Sequence, residues 1–219
     1  MPATLNAGRV APVERSDQPR TAVTQGQPTA VPSNPSVLPS AAVRDDHLAP
    51  LVFFYGIGSA RPRVTFVPPE ELPDKERWFL VHDTDMTPRL REGHGCEIDL
   101  DVHAKARIGN YLVRASVLTR RSDGIPVEFG AIGIHLEGLP EQAQQLVIEG
   151  HVPFGAILER YEIAHTSHPR GFFRIAVDAR LAELLGATSN QILFGRCNEL
   201  RHASGRVLAD VVEVLPRAV

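Results

Sequence analysis

The sharpest pattern along the chain is a strict alternation in CEIDLDVHA, where Ile98, Leu100 and Val102 fall on one side and Glu97, Asp99 and Asp101 on the other. A period of two predicts a half-buried strand. The apolar runs YLVRASVLT and PVEFGAIGIHL flank RRSDG and predict a hairpin turning at Asp123-Gly124. A second hairpin is predicted at the end of the sequence, where QILFGRCNEL and RVLADVVEVLP flank Ser204-Gly205, and FFRIAV reads as a further strand. The helical signals are different in kind. PEELPDKERWFLVH carries acids early and bulky apolar residues late, which predicts a helix ending near His82. Thr84 or Asp85 then caps a second short helix, with Pro88 tolerated in its first turn. Pro140 opens a Gln-rich helix reaching about Ile148, and Pro153 opens a short one in VPFGAILERY. DARLAELLGA is a helix capped by Asp178 and stopped by Gly186. Mostly antiparallel strands with helices inserted between them predict an α+β fold.

Composition changes this picture at one end. Residues 1–46 are rich in Pro, Ser, Thr, Gln and Ala, and their isolated apolar residues form no periodic face. Such a stretch buries too little area to offset chain entropy, so it reads as a disordered leader before a folded domain over 47–219. The sequence has no run of about 18 apolar residues and no apolar core of a secretory signal. Arg9, Arg15 and Arg20 would suit a transit peptide, but Glu14 and Asp17 oppose it, and a cytoplasmic protein is expected. A net charge of −3 gives a nucleic-acid partner no electrostatic support. Cys96 and Cys197 form no CxxC pattern and are expected to be reduced, packed thiols. His165-x-x-His168 and the pair His94 and His103 lack the carboxylate spacing of a metal site and read as surface histidines. GIGSARPR does not sit in a βαβ unit, and no Ser-His-Asp arrangement is present.

Two charges stand where apolar residues are expected. On the last strand Val207, Ala209, Val211, Glu213 and Leu215 share one face, and the other face is also apolar, so Glu213 is a carboxylate in apolar surroundings. Left unpaired it would cost several kcal/mol, roughly. A turn at Ser204-Gly205, with Ala203 opposite Arg206, brings Arg196 opposite Glu213. That pair either fixes the hairpin register alone or belongs to a site. Arg114 lies mid-strand with Leu112, Ser116 and Leu118 on its face, and the facing strand carries Gly130, Ala131 and Gly133. A small residue is therefore expected opposite it in any register. It either snorkels from an edge strand or grips a planar anion in the space those residues leave.

YLVRASVLTRRSDGIPVEFGAI, HVPFGAILERY, ILFGRCNEL and LADVVEVLP follow one another in the order and spacing of the chorismate lyase family, which the chain resembles over roughly residues 69–216. Members of that family convert chorismate into 4-hydroxybenzoate and pyruvate without metal or cofactor. The resemblance implies a single mainly antiparallel sheet with helical flaps enclosing a ligand cavity. It also implies a substrate-binding set of Met86, Thr87, Arg114, Gly130, Ala131, Phe154, Arg196 and Glu213. Arg114 matches the arginine that holds the ring carboxylate, and Glu213 the glutamate that meets the ring hydroxyl. Phe154 stands where a flap leucine covers the product. Met86, in a Met-Thr pair, matches a methionine packed on the ring, although a core methionine is the alternative. Ala131 departs from the pattern, since the best-known members place an arginine there.

The resemblance makes Arg114 and Glu213 the catalytic pair, with Glu213 either bonding the hydroxyl or donating toward the leaving ether. Arg196 would position Glu213, and close pairing would argue against the acid role. The expected partner is an aromatic or pre-aromatic carboxylic acid, the expected state a monomer or homodimer, with no nucleic acid and no membrane. Two other readings stand. One is a divergent family member acting on another enol-ether or hydroxylated acid. The other is a non-catalytic aromatic-acid-binding module, since the same fold serves as the effector domain of certain transcription regulators. Residues 1–46 hold nothing that would fold as the helix-turn-helix such regulators carry.

Overall fold

In the computed structural model, residues 47–56 and 58–217 are described, all within the unit Pro39–Val219. The predicted disordered leader over 1–46 lies outside the described residues. Among those described, seven strands form one antiparallel sheet: β1 (Val64–Val67), β2 (Ile98–Ile108), β3 (Tyr111–Arg120), β4 (Pro126–His135), β5 (His165–Ala176), β6 (Ile192–His202) and β7 (Val207–Leu215). Their spatial order is β1-β5-β6-β7-β4-β3-β2. The two predicted hairpins, β3–β4 and β6–β7, therefore sit side by side at its centre through the β4–β7 pairing.

Among the described residues six α-helices are interleaved: α1 (Ala49–Tyr55), α2 (Asp74–Leu80), α3 (Met86–His94), α4 (Glu141–Glu149), α5 (Phe154–Arg160) and α6 (Ala179–Leu185). Prolines set several starts, because their fixed φ suits a first turn and their missing N–H costs nothing there. Pro73, Pro140 and Pro153 each occupy the N-cap position of α2, α4 and α5. Asp178 caps α6 by accepting from the Leu181 amide at 2.9 Å, and Gly186 ends it in a left-handed turn. Helices α2 and α3 meet at Gly93, where a Cβ would stand 2.4 Å from the Phe79 ring, so only glycine permits that approach.

Alternation along the central strands divides the side chains between two faces. One face carries Ala115, Val117, Phe129, Ala131, Val212 and Val214 into a core closed by Leu51 and Phe54 of α1 and by Leu181 and Leu185 of α6. The other carries Arg114, Ser116, Glu128, Gly130, Glu213 and Arg196 toward α3 and α5. Two registers differ from the sequence expectation. Ala203 does not pair with Arg206; His202 N–H donates to the Arg206 carbonyl instead, and an irregularity between Leu200 and Arg201 restores the register that sets Arg196 opposite Glu213. On the other hairpin Ile132, not a small residue, lies opposite Arg114.

Candidate functional site

Three adjacent rows of the sheet build the site. Leu118 pairs with Glu128 in the first, and Ser116, Gly130, Glu213 and Arg196 run across four strands in the second. The third holds Arg114, Ile132, Val211 and Asn198. Met86 and Thr87 at the start of α3, with Pro153, Phe154 and Gly155 at the start of α5, line a cavity over these rows. Its volume is about 70 Å³. Room is made at Gly130, where a Cβ would come 3.1 Å from Glu128 Oε1. The space expected opposite Arg114 is thus supplied one row away, not directly across the strands.

Arg196 is completely buried and fully engaged. Its Nε donates to Glu213 Oε2 in an ion pair. Its Nη1 donates to the carbonyls of Leu80 at 3.1 Å and His82 at 3.0 Å, and Nη2 to that of Thr84 at 3.5 Å. One guanidinium thereby ties the sheet to the loop between α2 and α3, which delivers Met86 and Thr87 to the cavity. His82 lies against that cation, and desolvation together with the charge of Arg196 holds its imidazole down at about 4, so it is neutral near pH 7.

Arg114 is the opposite case. It is 2% exposed, and its Nη2 alone has a partner, the Val152 carbonyl at 3.3 Å. Nε and Nη1 have no hydrogen-bond partner among the described residues. Burial, uncompensated by a carboxylate, pushes the guanidinium down to about 10, still leaving it charged at neutral pH. A buried cation with two free donors is arranged to receive an anion, and its planar fork matches a carboxylate.

Glu128 is the feature that sequence reading missed. It is 3% exposed, lines the cavity, and its Oε2 has no partner among the described residues. Desolvation, reinforced by the negative charge of Glu213 and partly opposed by Arg196, holds its carboxyl well above the usual range. The signal was present: in PVEFGAI it shares a face with Gly130, and it is a charge within an apolar run.

The remaining expectations divide. Met86, Thr87, Arg114, Gly130, Phe154 and Glu213 all line the cavity, and Arg196 stands behind it on Glu213. Ala131 does not line it. Odd and even positions of β4 face opposite ways, so Ala131 is buried in the α1–α6 core, where a longer side chain would displace packed atoms. Asp85 occupies the N-cap position of α3 without a side-chain cap; its carboxylate accepts from His165 Nε2 at 3.0 and 3.1 Å. His165 is therefore not a free surface histidine: it opens β5 and holds the residue preceding Met86. Among the described residues no cluster of His, Cys, Asp and Glu could hold a metal, and no helix is long and apolar enough to cross a membrane.

No family model and no curated protein matches the sequence. Among solved structures the chain is similar to PhnF from Mycobacterium smegmatis, at 16% identity and a TM-score of 0.50, over 63% of this chain and 65% of that one. It thus spans about two-thirds of that protein. The fold is chorismate lyase-like. The effector domain of the same PhnF matches at 16% identity and TM-score 0.48, over 61% of this chain and 89% of that one. A GntR-family transcriptional regulator from Bacillus cereus matches at 12% identity and TM-score 0.41, over 55% and 92%.

Proposed function

We propose that this chain is a chorismate lyase-type enzyme, which eliminates pyruvate from chorismate and leaves a hydroxybenzoate. One observation carries the reading: Arg114, buried with two donors that have no partner among the described residues, lines one cavity with Glu213 one row away. Rows on one face are two residues apart, about 7 Å along the strand, which is the scale of a six-membered ring with a carboxylate at one end and an oxygen at the other. Arg114 anchors the ring carboxylate. Glu213, held by Arg196, meets the oxygen at C4, and Met86 and Phe154 cover the ring. Loss of the C3 oxygen with the C4 hydrogen makes the ring aromatic, so the reaction runs downhill. The protein has only to hold the reactive conformer in a dry site and stabilise developing charge.

Pyruvate release on mixing with chorismate, read through lactate dehydrogenase, tests this directly. A second reading, a non-catalytic module that binds an aromatic acid, draws support from the solved neighbours, one of which is an effector domain. Retained 4-hydroxybenzoate binding with no pyruvate formed selects the module over the enzyme.

A further inference from the structure

We propose that Glu128 is a further catalytic residue of this site, the proton donor to the bridging ether oxygen of chorismate, with Glu213 as the base that takes the C4 proton. The assignment rests on the lyase reading above. It starts from the order of the three rows: Arg114 at one end, Glu213 in the middle, Glu128 at the other end, all on one face and all lining one cavity. A ring held by its carboxylate on Arg114 presents C3 and C4 to the two acids and nothing ionisable to the apolar wall of Leu100, Leu118 and Ile132.

The two carboxyls are not equivalent. Glu213 is ion-paired to Arg196, which is itself saturated by backbone carbonyls. Among the described residues Glu128 has no cation of its own, and its Oε2 is a buried oxygen without a hydrogen-bond partner. A carboxylate left like that costs several kcal/mol, roughly, whereas a carboxylic acid can wait there for an acceptor. The charged and titratable groups around it are Glu213 on β7, Arg196 on β6, Arg114 on β3 and Asp85 ahead of α3. Burial is the chief influence against its ionisation, Glu213 adds to it, and Arg196 favours ionisation less strongly. Pairs of acids whose surroundings separate their roles are the usual basis of acid and base assignments.

The step balances. The C3–O bond breaks with its electron pair going to the ether oxygen, which takes the proton of Glu128 and leaves as the enol of pyruvate. The C4–H bond supplies its electrons to the ring, and Glu213 takes that proton. Glu213 then ends protonated and Glu128 ionised. Transfer of one proton between these neighbouring groups restores the start, with no external acid, oxidant or cofactor.

The test compares the full chain with Glu128→Gln across pH 5 to 9, measuring pyruvate release and, separately, 4-hydroxybenzoate binding. Wild-type kcat is expected to fall as pH rises through the ionisation of Glu128. Glu128→Gln is expected to lose roughly 100-fold or more in kcat, to lose that alkaline limb, and to keep 4-hydroxybenzoate affinity within about threefold. A variant with near-wild-type kcat and an unchanged profile overturns the assignment while leaving the lyase reading intact. A wild type that binds hydroxybenzoate but releases no pyruvate overturns the lyase reading first, and the proton donor with it. Should Glu128→Gln not fold, Glu128→Met, which fills the same volume without an unpartnered oxygen, takes its place, and a near-wild-type kcat in that variant overturns the proposal.

Discussion

Arg196 and Arg114 stand in adjacent rows of one sheet face, both essentially buried, and the structure treats them in opposite ways. Around Arg196 every nitrogen is used, by Glu213 and by carbonyls of the loop before α3. Around Arg114 two nitrogens have no partner among the described residues and a single backbone carbonyl serves the third. Desolvating a guanidinium is expensive wherever it happens, so the first region recovers the cost within the fold and the second does not. The difference separates a structural cation from one kept for a ligand.

The largest effect should come from breaking the satisfied region. Arg196→Ala leaves Glu213 buried without its cation and frees three backbone carbonyls, so a loss of about 3–5 kcal/mol of folding stability is expected. Chemical denaturation of the full chain measures it. A loss below about 1 kcal/mol would mean that the pair contributes nothing the sheet cannot replace.

The unsatisfied region predicts the reverse pattern. Arg114→Met keeps the volume and removes an uncompensated charge, so stability should stay level or rise. Binding of 4-hydroxybenzoate should weaken by roughly 30-fold or more, the cost of removing one side of a buried charge-assisted contact. Calorimetric titration beside a denaturation curve reads both. A variant destabilised as much as Arg196→Ala, yet still binding, would erase the contrast between the two arginines.

How much of that contrast the sequence carried can be followed residue by residue. The hairpin turns at Asp123-Gly124 and Ser204-Gly205 and the period-two alternation place Arg114, Glu213 and Arg196 correctly by face, because local turn chemistry and pleat decide both. What the sequence could not carry was long-range. Helix α1 and strand β1 are seven and four residues, too short for a period to show, and they exist because the core and strand β5 receive them. The β4–β7 pairing that lays Gly130 beside Glu213 joins segments about 80 residues apart, and it alone brings Glu128 near a second acid. Ala131 was assigned to the cavity by likeness to a family position; the parity of its strand sends it to the other core. Asp85 looked like a cap because aspartate ahead of a helix usually is one, and His165, eighty positions away, outcompeted the helix amides.

Gly130→Ala sharpens the comparison on a smaller scale. Its Cβ would press on Glu128 Oε1 at 3.1 Å without touching either arginine's partners. Stability should change by less than about 1 kcal/mol, since alanine also restricts the unfolded chain. Turnover should fall by roughly threefold to tenfold through displacement of the acid. Equal activity in the two proteins would show that Glu128 has room to spare.

The smallest effect concerns how α3 is held over both arginines. His165 Nδ1 faces the Ile163 carbonyl at 2.7 Å and Nε2 faces the Asp85 carboxylate, and both of these only accept, so the ring that satisfies both is the doubly protonated imidazolium. The hydrogen bond to Asp85 is the chief cause raising His165 above its ordinary value, opposed by burial. A raised histidine contributes stability in full below its unfolded value near 6.5, and the contribution is lost as pH rises through the higher folded value. His165→Gln, which can make one of the two bonds but carries no charge, should therefore be less stable than the wild type at pH 5.5, with the gap narrowing toward pH 9. Arg114, lowered only to about 10, keeps its charge over most of that range. A stability difference that does not change with pH would place the hold on α3 in packing around Asp85 and Gly155, and not in the charge on His165.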